Sequence, residues 1–239
     1  MLNDIATESL LDLTLKEIDM IIFYYNGEYM RREKANKIID LLHETHPDAV
    51  CELEFTSPYE LLVATVLSAQ TTDVKVNEAT RKLFPIANTP EKMIRLTPNE
   101  IRAYIKTLGL SNSKAGYVHD LSLALLEHFD GQVPTEMNDL TSLSGVGRKT
   151  ANVVRSVAFQ IPSMAVDTHV RRLANRIGFS NTENVLVIEE DLKKQIPKKR
   201  WILAHHLLIF HGRRVCKARN PECDRCSISS LCKYYKKHT

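Results

Sequence analysis

The chain has 239 residues, 44% of them hydrophobic and 26% charged, with 8 Gly and 9 Pro. At roughly 100–200 residues per domain this allows one or two folded units, and the composition excludes collagen-like, mucin-like and low-complexity chains. No apolar run reaches the roughly 20 residues of a membrane-spanning helix. Asp4, Glu8 and Asp12 precede Lys16 where a secretory signal would be cationic, so a soluble, cytoplasmic protein without a membrane partner is expected.

Residues 1–30 hold one lysine against six acids, so the remaining residues carry +8 of a chain whose overall charge is only +3. Leu11, Leu15, Ile18 and Ile22 would line one helical face, which predicts a docking helix. An equal alternative takes Met30 as the real start and leaves residues 1–30 as an extension of unassigned role. Further on, Ser57-Pro58-Tyr59-Glu60 combines a cap, a proline at the first helical position and an early acid, and the apolar stretch Leu61–Leu67 follows. Thr89-Pro90 and Thr97-Pro98-Asn99-Glu100 repeat the start signal, while Gly109, Gly131, Gly178 and Gly212 are read as helix stops. Val153, Val154 and Val157, then Leu203, Leu207 and Phe210, recur at helical steps, and neither a period-2 strand nor a fixed-period repeat is found. The expectation is an all-α protein of about ten short helices packed as globular bundles.

Leu143-Ser144-Gly145-Val146-Gly147-Arg148-Lys149-Thr150 joins a short helix over roughly residues 136–143 to a second one that runs to Phe159. Glycines there let the backbone approach another chain closely, and the free N–H groups of the second helix point toward an anion. A DNA phosphate fits, bound without reading sequence. The plain alternative is a helix–helix turn. Lys149 sits in the first helical turn, where the positive dipole end disfavours an ammonium. It is either a charge contact or a nucleophile able to form a Schiff base. Asp167, before Thr168-His169-Val170, is either an N-cap or a carboxylate that stabilises developing positive charge, and both can hold at once.

Between Lys193 and Arg219 lie nine Lys/Arg and no acid, the footprint of a phosphate-facing surface or, more plainly, a solvated face. Four of the five cysteines follow within the last 24 residues, as Cys216-x6-Cys223-x2-Cys226-x5-Cys232. Four thiolates at loop spacing bind zinc or an iron–sulfur cluster, and spacing alone does not choose between them, although Cys223 and Cys226 make only one zinc-type knuckle. Cys51 reads as a small buried side chain. His205, His206 and His211 read as core or cleft residues and not as ligands.

Together, Leu67-Ser68-Ala69-Gln70-Thr71-Thr72-Asp73, the 145–150 hairpin, Val166-Asp167-Thr168-His169, the His205–Arg213 stretch and the four cysteines resemble the endonuclease III family of the helix-hairpin-helix DNA glycosylase superfamily. The resemblance spans about residues 31–235. It implies two helical domains flanking a DNA-binding cleft, a six-helix barrel at 52–160 and a discontinuous iron–sulfur domain at 31–51 and 161–239. It implies a bifunctional glycosylase and AP lyase for base excision repair, acting on oxidised pyrimidines or abasic sites in duplex DNA; a monomer is expected. Lys149 then corresponds to the Schiff-base nucleophile and Asp167 to the essential carboxylate. Cys216, Cys223, Cys226 and Cys232 correspond to the ligands of a [4Fe–4S] cluster. Gln70 and Leu110 correspond to residues that enter the base stack as the nucleotide swings out. Gly145, Val146, Gly147, Arg148 and Thr150, with Arg213, Arg214, Lys217 and Arg219, correspond to DNA contacts, and Asp73 and His169 to the lesion pocket. The hairpin departs from the family's usual Leu-Pro-Gly in carrying Ser144. Two alternatives stand beside this reading: an adenine glycosylase of the same superfamily, which typically lacks a lysine at the Lys149 position, and a non-enzymatic DNA-binding protein that uses its cluster as a redox sensor.

Overall fold

Side-chain caps written into the sequence start five of the helices. The computed structural model describes residues 31–238, and the docking helix predicted within residues 1–30 lies outside them. Ser57 accepts the Glu60 N–H at 3.2 Å and starts α2 (Pro58–Leu67), after α1 (31–45). Thr97 and Glu100 form a reciprocal capping box. This box starts α5 (Pro98–Ile105), which follows α3 (Asp73–Leu83) and the single turn α4 (Pro90–Met93). Next come α6 (Ser111–His128), α7 (Met137–Ser142) and α8 (Arg148–Phe159). Asp167 caps α9 (Thr168–Ile177), Asn184 caps α10 (Val185–Gln195), and α11 (Trp201–Arg214) and the short α12 (Tyr235–His238) complete the order. Among the described residues there is no strand, and no helix is long and apolar enough to cross a membrane.

Two hydrophobic cores form. One gathers residues between Leu53 and Val154 around α2, whose residues from Tyr59 to Leu67 are all buried and which packs along α8. A helix buried on every side can only be the centre of a bundle. The second core joins Ala35–Ala49 to Met164–Ile228, with α9 packed on α11. Residues 161–167, without regular structure, carry the chain from the first core to the second.

Gly178 is the stop expected, a left-handed C-cap at φ 102°. Gly212 is not: it lies inside α11, two residues before the helix ends. A Cβ there would stand 3.0 Å from the Cβ of His169 and 3.2 Å from Nη2 of Arg172, and its carbonyl accepts from Arg172 at 2.9 Å. That glycine serves the close approach of α9 to α11, which a single-sequence stop rule cannot distinguish from a C-cap.

Candidate active site and cluster cavity

Between the two cores lies an open pocket lined by Lys149 from the first turn of α8, Asp167 at the head of α9, Asp73, Arg213, His205 and His206. Lys149 and Asp167, named separately from sequence, therefore face one space from different cores. The Asp167 Oδ1 accepts the Val170 N–H at 2.8 Å, so the capping role is real. Its second oxygen makes no hydrogen bond or ion pair among the described residues and is left for the cavity.

His205 forms part of the wall. It is buried, and its Nδ1 lies 2.9 Å from the Ala165 carbonyl, a pairing that requires an N–H at Nδ1. Burial and the neighbouring His206 push its pKa down, Asp167 opposes this, and Lys149 adds to it. The lysine and the aspartate are thus both near enough to act on one imidazole. Cys51 is half-buried: it packs against the first core, as expected of a small apolar side chain, and also lines this cavity. Nothing local in its sequence marks that position. Asp73 also lines the cavity, held at 2.9 Å by Arg213. His169 does not. It turns against Gly212 and Arg172, whose Nη2 lies 3.2 Å from its Nδ1, and burial lowers its pKa.

The hairpin glycines divide by cause. Gly145 has φ 75°, and a Cβ would meet Tyr117 at 2.8 Å, so packing requires glycine there. At Gly147 a Cβ would meet nothing within 4 Å, so the fold itself does not require the missing side chain. Gly147 heads α8 with no side-chain cap, leaving first-turn N–H groups available to an anion approaching over that open surface. Val146 between them is buried and Thr150 half-buried. Arg148 forks onto Glu189 at 2.8 and 2.9 Å, joining the hairpin helix to α10. Burial pushes the Glu189 carboxyl up, but the bonds from Arg148 and Lys193 outweigh it and hold the pKa below the usual glutamate value.

Five described non-glycine residues adopt left-handed backbone, among them Gln70 at φ 53° and Leu110 at φ 59°, both exposed. Such conformations cost roughly 1–3 kcal/mol each and persist where surrounding structure imposes them, often at functional sites. The basic run after residue 193 is less free than its composition suggests. Arg213 and Arg214 belong to the last turn of α11. Arg213 pairs with Glu52 as well as Asp73, Arg214 with Asp48 at 2.7 and 2.9 Å, and Lys217 with Glu222. Arg219 is exposed. The carboxylate partners of Arg213 and Arg214 lie in distant segments, beyond the reach of local pattern reading, whereas Glu222 is only five residues from Lys217.

The four C-terminal cysteines line one pocket with Arg176 and His211. No three of the described His, Cys, Asp or Glu side chains stand close enough to hold a single metal ion. A tetrahedral zinc needs its sulfurs at about 2.3 Å from one point, whereas an iron–sulfur cluster takes thiolates spread around a larger body. The residues fit a cluster. Donors already face the sulfurs: Arg176 Nη1 lies 3.4 Å from Cys216 Sγ, and His211 Nε2 lies 3.4 Å from Cys226 Sγ and passes through Nδ1 to His46 at 3.0 Å. When bound, the cluster supplies redox-capable iron and one centre to which four loop positions are tied.

Comparison with known proteins agrees with this geometry. Residues 63–198 match the HhH-GPD superfamily of base excision DNA repair proteins, and residues 216–232 match the iron–sulfur binding domain of endonuclease III. The molecule is therefore a DNA-binding base excision repair glycosylase with an iron–sulfur centre. Endonuclease III of Escherichia coli K12 is 48% identical over 208 residues, 87% of this chain and 99% of that protein. Endonuclease III of Bacillus subtilis is 44% identical over 82% of this chain and 90% of that protein. Among solved structures, a trapped endonuclease III–DNA covalent intermediate superposes with a TM-score of 0.83 at 43% identity, covering 87% of this chain and 98% of the other. A thermostable thymine-DNA glycosylase gives 0.77 at 26% identity, covering 89% and 99%. This chain belongs to the endonuclease III family.

Proposed function

We propose that the protein is a bifunctional DNA glycosylase and AP lyase that removes oxidised pyrimidines from duplex DNA and acts as a monomer. One observation carries the reading: an amine and a carboxylate from different cores line the same cavity. Lys149 attacks C1′ of the extruded nucleotide through its nitrogen lone pair, the glycosidic bond breaks with its electron pair leaving on the base, and the proton shed by the new C–N nitrogen passes by way of Asp167 to the departing base. Asp167 stabilises the positive charge that develops on the sugar. Ring opening gives a Schiff base. Water takes the C2′ proton, the C2′–C3′ double bond forms as the C3′–O bond breaks and the 3′ phosphate leaves, and a second water hydrolyses the imine to release Lys149. The relative solved as a trapped covalent intermediate with DNA supports a covalent route in this family.

Residues 52–160 and the discontinuous 31–51 plus 161–239 act as the two domains of this machine. Gly145, Val146, Gly147 and Thr150 form the hairpin's phosphate seat, with Arg148 holding it to α10. Arg213, Arg214, Lys217 and Arg219 edge the DNA path, Asp73 orders the pocket through Arg213, and His169 supports its rim. Gln70 and Leu110 fill the space an extruded nucleotide leaves, a role that suits exposed side chains on strained backbone.

The test is reductive trapping on an abasic duplex with borohydride. Wild-type protein forms a covalent adduct and Lys149→Ala forms none. Asp167→Asn keeps the cap and the fold, since asparagine caps as well as aspartate. Its excision falls by about 100-fold or more. An adduct with Lys149→Ala overturns the assignment of the nucleophile.

A further inference from the structure

Among the described residues Lys114 is the only buried lysine, 2% exposed in the first turn of α6. Its ammonium donates to the Thr71 hydroxyl at 2.8 Å and makes no ion pair. The Thr71 hydroxyl in turn donates to the Ala69 carbonyl at 3.3 Å, and the Lys114 backbone N–H donates to the Leu110 carbonyl at 3.0 Å. Ala69 and Thr71 bracket Gln70. A single residue thus bridges, through its main chain and its side chain, the two left-handed positions that stand 40 residues apart in sequence. Burying an ammonium without a carboxylate is unfavourable, and burial alone lowers the Lys114 pKa. Methionine would fill the same volume without that cost, so packing does not account for the residue.

We infer that Lys114 is a positioning residue for nucleotide extrusion: through Thr71 it locks the Gln70 and Leu110 loops into one unit, so that both side chains enter the duplex together. The inference rests on the wedge role proposed above for Gln70 and Leu110. A lysine suits the task because its hydrogen bond is strengthened in a desolvated site and fixes the distance between two loops that do not otherwise need to agree. It touches neither the sugar nor the base, and acts through the loops it holds.

The experiment compares Lys114→Met and Thr71→Val with wild type in two assays. One is single-turnover excision of thymine glycol from a duplex carrying 2-aminopurine opposite the lesion, whose fluorescence reports unstacking. The other is borohydride trapping on a single-stranded abasic oligonucleotide, which needs no wedge. Loss of one buried hydrogen bond to a charged donor predicts about a tenfold fall in duplex excision and in the rate of the fluorescence rise. Single-strand trapping stays within about twofold, and the double variant is no worse than Lys114→Met, as coupled sites require. Duplex rates equal to wild type in both variants, or duplex and single-strand activity falling together, overturn the inference. Should Lys114→Met not fold, Thr71→Val alone decides by the same ratio. Gln70→Ala and Leu110→Ala separate the two levels of argument: a loss there without one in Lys114→Met refutes only the lysine's role, and no loss there refutes the wedge reading and this inference with it.

Discussion

The two cores reach stability by different routes. Between Leu53 and Val154 helices follow one another at short intervals, caps are local, and α2 is enclosed by apolar side chains. The other half contains only part of its structure in helices. Residues 215–234 hold two single 3₁₀ turns and otherwise irregular backbone, and the segment is tied down by Arg176, whose guanidinium donates to the carbonyls of Lys217 and Ala218 at 2.7 and 2.9 Å and lies over the Tyr234 ring. Ion pairs between distant segments also gather here: Arg148–Glu189, Arg200–Asp40 and Arg214–Asp48. A core built from periodic helices is stabilised by burial alone, whereas a surface shaped for a phosphate backbone and a cluster needs charge and ligation to hold irregular chain in place.

The sharpest test of that contrast is loss of a cluster ligand. Cys226→Ser is expected to lower the stability of the second half by on the order of 3 kcal/mol or more, because ligation free energy becomes folding free energy. Hydrogen exchange read by mass spectrometry should quicken in α9, α11 and 215–234 while amides of α2 and α8 stay protected. Equal loss of protection in both cores would mean that they form one cooperative unit and that the division drawn here is wrong.

Acid gives a smaller effect of the same kind. His205, His206 and His169 all belong to the second half, and burial holds each below the ordinary histidine value of 6.5. A histidine depressed in the folded state contributes stability above its unfolded pKa and loses it as pH falls through the folded value. Protonation of the unfolded chain therefore begins to favour unfolding below about pH 6.5, by up to about 1.4 kcal/mol per pH unit for each such group. Protection in α11 should fall between pH 7 and pH 5 before that in α2. A simultaneous decline would assign the acid sensitivity to the whole molecule.

Legibility in the sequence follows the same divide. Ser57, Thr97 and Gly178 could be read because caps and stops are decided by neighbours within four residues. Lys149, Asp167 and the cysteine spacing stood out because residue type and helix position together limit their chemistry. What could not be read depends on partners far along the chain. Lys114 looks like any solvated lysine of an amphipathic helix until Thr71 is placed beside it, and Arg213 looks like a free cation until Asp73 and Glu52 meet it. Cys51 packs against the first core and also borders the cleft, a double position that nothing local in its sequence marks.

Two glycines inside helices put the comparison on its finest scale. Gly116 lies within α6 and a Cβ there would meet nothing within 4 Å, while at Gly212 in α11 it would press on His169 and Arg172 at 3.0–3.2 Å. Alanine favours a helix interior over glycine by about 1 kcal/mol, so Gly116→Ala should raise stability by roughly that amount. At Gly212 the same gain is opposed by overpacking of about 1–3 kcal/mol, and a net loss of roughly 1 kcal/mol is expected. His169 cannot yield freely, because Arg172 beside it is already bound to the carbonyls of Gly212 and Cys216. Thermal unfolding of the two single variants, with Gly212→Ala repeated in a His169→Ala background, separates the terms: removing the ring but not the shared Cβ contact should recover only part of the loss. If Gly212→Ala alone stabilises the protein, α9 and α11 are not held at their closest approach, and the second half is looser than its contacts imply.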